Sequence, residues 1–152
     1  MANLFPTEET TATPETTEAQ TARQVQFPKS WKFDFDTGEF IITPTGKVTE
    51  TKDVDAWLEW CQKALQTARY RYLVYSRNYG QEFDDLISRH LTRTGNESEI
   101  KRIATECLMV DPRTAEVKNF TFEWISDAVY FTCEVLNVRD ESGVISGNVV
   151  IG

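Results

Sequence analysis

Three acidic residues, Glu82, Asp84 and Asp85, crowd together just after Gly80, and the chain's single histidine, His90, follows closely. Glycoside hydrolysis needs two carboxyl groups at a set separation, one with a raised pKa. A small intracellular or cell-wall hydrolase would therefore have its site in this cluster. The competing account is electrostatic: acidic side chains in the first turn of a helix stabilise its dipole, which explains all three. A Ser-His nucleophile needs a base oriented by a third group, and His90, beside Arg89 on the polar edge of a helix, has no evident orienting partner. Cys61, Cys107 and Cys133 lie far apart at apolar positions of regular elements, the pattern of buried free thiols in a reducing compartment. With no Cys-x-x-Cys pair, a metal site is not expected. Gly38, Gly46, Gly80 and Gly95 each stand alone at a turn rather than in a phosphate-binding loop.

Arg69-Tyr70-Arg71-Tyr72 could stack on a single strand of nucleic acid. Against that, 24 acidic residues outnumber 16 basic ones, and a formal charge of −8 repels phosphate backbones and anionic lipid. No apolar run approaches the roughly 20 residues needed to span a bilayer, and the N-terminus has neither a basic region nor an apolar core for export. The expectation is a protein that stays in the compartment where it is made, with no catalytic residue, no cofactor, no metal, no nucleic acid and no membrane.

The elements that would position these groups follow from periodicity. Residues 1–27 are rich in threonine and glutamate with almost no large apolar residue after Phe5, too little to offset the entropy of ordering them. They read as a flexible acidic arm, either a dispensable tail or a segment that orders along a neighbouring subunit, with Phe5 and Phe27 as anchors. Trp31, Phe33 and Phe35 alternate with charged residues, Thr37-Gly38 turns, and Phe40-Ile41-Ile42 returns, which predicts a hairpin. Val54, Trp57, Leu58, Cys61 and Leu65 recur at helical spacing behind Asp53 and Asp55. Arg69 through Ser76 is aromatic and β-branched enough for a strand, closed by an Asn78-Tyr79-Gly80 turn. Phe83, Leu86, Ile87 and Leu91 mark a short helix. A capping box of Asn96 and Glu99 predicts the start of the next, whose face is Ile100, Ile103, Ala104, Cys107 and Leu108. Asp111-Pro112-Arg113 stops it, since proline lacks an N–H and disfavours helix before it. Strict alternation then gives Phe120, Phe122 and Trp124, a turn at Ser126-Asp127, Val129 to Val135, and a last run from Gly143 to Ile151. The order predicts an α+β fold, a mostly antiparallel sheet covered on one face by about three helices, with a disordered or extended N-terminal arm.

At Ala68 to Leu86 the text is ARYRYLVYSRNYGQEFDDL, preceded by an aromatic hairpin and a Trp-rich helix and followed by a helix ending in Asp-Pro-Arg. It resembles the phage-tail proteins of the defective Bacillus prophage type, long filed as a domain of unknown function. Through them it resembles the sheath initiators of contractile-tail baseplates, also called lysozyme-like baseplate wedge proteins. The resemblance spans about residues 31–140, and its signature joins the turn Tyr75-Ser76-x-x-Tyr79-Gly80 to the later Pro-Arg stop.

The resemblance implies a non-enzymatic baseplate component that templates sheath polymerisation and anchors the sheath to the wedge and tube. The lysozyme label implies no activity. The family's Glu-Pro-Arg wedge-anchoring motif falls on Asp111, Pro112 and Arg113, the aspartate being one methylene shorter. A purely structural reading of that turn, with Arg113 paired to Asp111, stays open. The implied partners are the sheath protein, baseplate wedge subunits and tail tube or hub proteins, with six copies around the tube. The particle would be assembled in the bacterial cytoplasm, as a phage tail, a tail-like bacteriocin or another contractile injector. The division is then an arm (1–27), a sheath-initiator-like domain (28–140) and a C-terminal strand (141–152). Strand exchange with the sheath would use Val144, Ile145, Val149, Val150 and Ile151. Whether that strand completes its own sheet or reaches a neighbour is open at this point.

Overall fold

The computed structural model describes residues 25–151. Most of the expected arm, Phe5 included, lies outside the described residues. Within them the chain runs β1 (Ser30–Trp31), β2 (Phe33–Asp34), β3 (Glu39–Phe40), β4 (Glu50–Thr51), α1 (Asp53–Gln66), α2 (Asp85–Arg89), α3 (Arg93–Met109), β5 (Thr114–Ile125), β6 (Ala128–Asn137) and β7 (Ser142–Val150). The α+β expectation holds: β5, β6 and β7 form an antiparallel sheet in that order, with the helices packed on one face.

The alternation that predicted the strands also explains the layer. Val129, Phe131, Cys133 and Val135 of β6 and Ile145 and Val149 of β7 are buried, whereas Tyr130, Val144 and Val150 face outward. In β5 a bulge between Lys118 and Thr121 sets two residues against Cys133, with Asn119 at φ +54° absorbing the kink. Phe120 and Phe122 consequently both pack against Phe131. Onto this surface come Trp57, Cys61 and Leu65 of α1, Leu86 of α2, and Ile100, Ile103, Ala104, Cys107 and Leu108 of α3. The Trp57 indole N–H donates to Thr114 Oγ1 at 3.0 Å, tying α1 to the start of β5. Burial pushes the Cys61, Cys107 and Cys133 thiols up to about 12, leaving them neutral.

Two expectations fail. Arg69–Ser76 is not a strand; it belongs to a chain of turns closed by a single bridge between Ala68 and Gln81. β propensity needs a neighbour to pair with, and the ends of this segment are instead clamped together. Arg69 N–H donates to Gln81 O at 2.8 Å, and Gln81 N–H donates to Thr67 O at 2.9 Å. Gly80 sits at φ +99°, where a Cβ would lie 2.6 Å from Thr67 O.

The second concerns α3, which begins before Asn96. Thr92 is its cap, accepting from Gly95 N–H at 3.1 Å, so Gly95 lies inside the first turn. Asn96 is buried and donates to Leu91 O, while Glu99 pairs with Arg89 and Arg102 rather than closing a capping box. The predicted hairpin is present in reduced form, with Phe33 opposite Phe40.

Gly147 faces Phe131 directly across the β6–β7 pair, and a Cβ there would fall 2.7 Å from the ring's Cζ. Because that ring is enclosed by Phe83, Phe120 and Phe122, Gly147→Ala is expected to cost about 1–3 kcal/mol in urea unfolding, the usual penalty of overpacking. The three buried, neutral thiols should be silent toward a thiol-reactive chromogen in the native protein and should all react after denaturation.

Candidate functional site

Asp111, Pro112 and Arg113 occupy the turn between α3 and β5. Asp111 Oδ1 accepts from the Arg113 backbone N–H at 2.8 Å and from its Nε at 3.0 Å, and Oδ2 accepts from Nη2 at 2.6 Å. The pair is bidentate and withdrawn from water, Asp111 being 6% and Arg113 8% exposed. The open structural reading is therefore realised in geometry: Arg113 turns inward onto Asp111. What the turn shows to solvent is Pro112, together with Met109 and Val110 at the helix end.

Sequence reasoning missed what covers the guanidinium. It lies 6.0 Å from the Trp60 ring and 5.9 Å from that of Phe27, whose own face carries Arg139 at 3.9 Å. Trp60 then meets Tyr79 edge-on at 5.6 Å, Tyr79 lies against Tyr75 at 4.6 Å, and Tyr75 meets Tyr72 at 6.2 Å. The Asp-Pro-Arg turn and the Tyr75-Ser76-Tyr79-Gly80 turn, more than thirty residues apart in the chain, are thus joined by one run of rings. Ser76 O accepts from Tyr79 N–H at 3.2 Å to close the second turn, and burial pushes the Tyr79 hydroxyl up to about 12. Beyond the run Tyr70, Leu73 and Val74 are exposed. The signal for Trp60 was present in its position three residues after Trp57 on α1, since residues at that spacing share a helix face; the partner of that face was not.

The five C-terminal residues divide. Ile145 and Val149 are core, Ile151 is partly buried and donates its N–H to Asp127 O, and Val144 (71%) and Val150 (53%) project from the other face. β7 pairs with β6 over nine residues, from Ser142 opposite Leu136 to Val150 opposite Ala128, and its other edge bounds the sheet.

The acidic cluster does not converge on a site. Glu82 is engaged by Arg69 at 3.5 Å, and Arg69 also holds Glu106 at 3.2 Å. Asp84 and Asp85 are exposed at the start of α2, and His90 ends that helix in a left-handed conformation at φ +49°. Among the described residues no group of three or more His, Cys, Asp or Glu is placed to hold a metal ion.

Residues 29–140 match the family model described as the contractile injection system sheath initiator. Phage-like element PBSX protein XkdS of Bacillus subtilis (strain 168) is 30% identical over 132 residues, covering 84% of this chain and 85% of that protein. Among solved structures, a chain of the 6-fold symmetrised cryo-EM structure of the anti-feeding prophage baseplate matches with a TM-score of 0.51 at 14% identity, over 83% of this chain and 87% of that one.

Removing one partner of a buried pair strands the other without solvation, at a cost of about 3–5 kcal/mol. Arg113→Ala and Asp111→Ala are both expected to lower unfolding free energy on that scale, and Arg113→Lys, which loses the two-pronged geometry, should recover only part of it.

Proposed function

We propose that this chain, which belongs to the contractile injection system sheath initiator family, starts a contractile sheath by offering the outer edge of β7 to an extended segment of the first sheath subunits. Membership makes it a structural baseplate component, not an enzyme, so the hydrolase alternative built on Glu82, Asp84 and Asp85 lapses.

The observation that carries the proposal is the edge itself. Among the described residues β7 ends the sheet with no neighbouring strand along one side and with Val144 and Val150 exposed there. An edge of this kind is a template for an added strand, with the ladder supplying affinity and the flanking side chains specificity. On this reading the strand stays in its own sheet and receives a partner's, and residues 141–152 act as acceptor. Ile145 and Val149 hold it to the core; Val144 and Val150 meet the incoming chain.

Anchoring to the wedge falls to the turn at Asp111, Pro112 and Arg113. The buried pair fixes its shape, so that Pro112, Met109 and Val110 form the surface a wedge subunit grips. The Tyr75-Ser76-Tyr79-Gly80 turn, tied to the same place through Trp60, extends that surface toward the tube or hub. A placement of six copies around the tube is supported by the 6-fold symmetry of the anti-feeding prophage baseplate, and a phage-like tail as the host particle by the PBSX relative.

Mixed with its cognate sheath and tube proteins and imaged by electron microscopy, the protein should make sheath grow from one defined tube end. Charged residues on an edge discourage pairing, so Val144→Arg should abolish that growth while changing stability by no more than about 0.5 kcal/mol, as expected of an exposed site. Growth indifferent to the protein would refute the proposal.

A further inference from the structure

The edge of β7 is not uniformly open. Strand residues of one parity send their backbone groups to one side. At the strand's two ends Glu141 O accepts from Asn137 N–H and Ile151 N–H reaches Asp127 O, so the odd residues bond toward β6. Ser142, Val144, Ser146, Asn148 and Val150 therefore point theirs outward. The middle of that row is occupied. Gln62, from α1, donates its Nε2 to Ser146 O at 2.8 Å and accepts from Ser146 N–H through Oε1 at 3.3 Å. One carboxamide, 84 positions away in the chain, makes both hydrogen bonds that a neighbouring strand would make at that point.

We infer that the Gln62 carboxamide is a displaceable plug on the strand-accepting edge, which an incoming sheath segment must remove before a continuous ladder can form; this rests on the acceptor role proposed for β7. With Gln62 in place, a partner finds only Ser142 and Val144 on one side of the block and Asn148 and Val150 on the other, too little on either side for a stable strand. Copies of the protein are thereby kept from pairing edge to edge, the hazard of an exposed apolar strand. The plug is also removable. Gln62 is partly exposed, and a cavity of about 690 Å³ lined by Gln62, Leu65, Gln66, Gln81, Ser146 and Asn148 leaves the side chain room to withdraw. A segment long enough to engage both sides of the block exchanges two side-chain hydrogen bonds for a full ladder. A shorter one gains too little to open it, so the plug selects for length and extended conformation.

The test uses the full chain with Gln62→Ala, and Gln62→Glu, which keeps the acceptor for Ser146 N–H but loses the donor to its carbonyl. By NMR, amide hydrogen exchange at Ser146 should accelerate by about tenfold in Gln62→Ala, the loss of roughly one net hydrogen bond, and by less in Gln62→Glu. Mixed with cognate sheath protein, Gln62→Ala should shorten the lag of sheath growth several-fold and raise self-association of the isolated protein. If wild type nucleates sheath and both variants do so with the same lag, or if Ser146 exchange is unchanged, the plug is refuted while the acceptor role stands. If wild type nucleates nothing, the acceptor role falls and the gate falls with it.

Discussion

Between the end of α3 at Met109 and the start of β5 at Thr114 the chain must leave a helix, reverse its course and enter a twelve-residue strand. The Asp111 carboxylate organises the passage. It takes the Arg113 backbone N–H and two guanidinium nitrogens, while Asp111's own carbonyl accepts from Thr114 N–H at 3.0 Å. Pro112 enforces the break without needing a donor of its own. The next residue, Thr114, receives the Trp57 indole, so α1, α3 and β5 meet within a few residues of one ion pair. Such a pair is expensive to break yet no stronger overall than good apolar packing. What it supplies here is direction, fixing the angle at which the helical layer meets the sheet.

From that junction two surfaces extend. Through Trp60 it supports the tyrosine turn, and through Arg113 it supports Phe27 ahead of β1. On the far side of the sheet lies a polar face edged by β7. Between the Asp-Pro-Arg turn and the edge of β7 the connection runs through close-packed side chains rather than through a flexible link.

Among the described residues the free edge of the same sheet is covered at one point only. Charges, short length or a covering helix are the common protections; here a single helix-borne amide covers one residue and leaves its neighbours open. Gly143 and Gly147 admit the close approach of Leu58 and Phe131 on the buried side, where a Cβ would fall 2.5 Å and 2.7 Å from those side chains.

Much of this was legible in the chain. Alternation from Phe120 to Val150 assigned the strands and their inner faces, and the spacing of Trp57, Cys61, Leu65 and of Ile100, Ala104, Cys107 assigned the helices, because both periods are properties of the local backbone. The thiols' burial followed from the same phase. The strand expected at Arg69–Ser76 failed because pairing requires a neighbour that local propensity cannot supply, and the cap expected at Asn96 failed because Thr92, four residues earlier, could also accept. That Arg113 pairs with its own aspartate, which rings line up between two distant turns, and which side chain reaches the edge of β7 emerge only in the tertiary structure. Each depends on what lies across space from a residue, and for Gln62 and Ser146 that is a group 84 positions away, far outside the range over which sequence periodicity carries information.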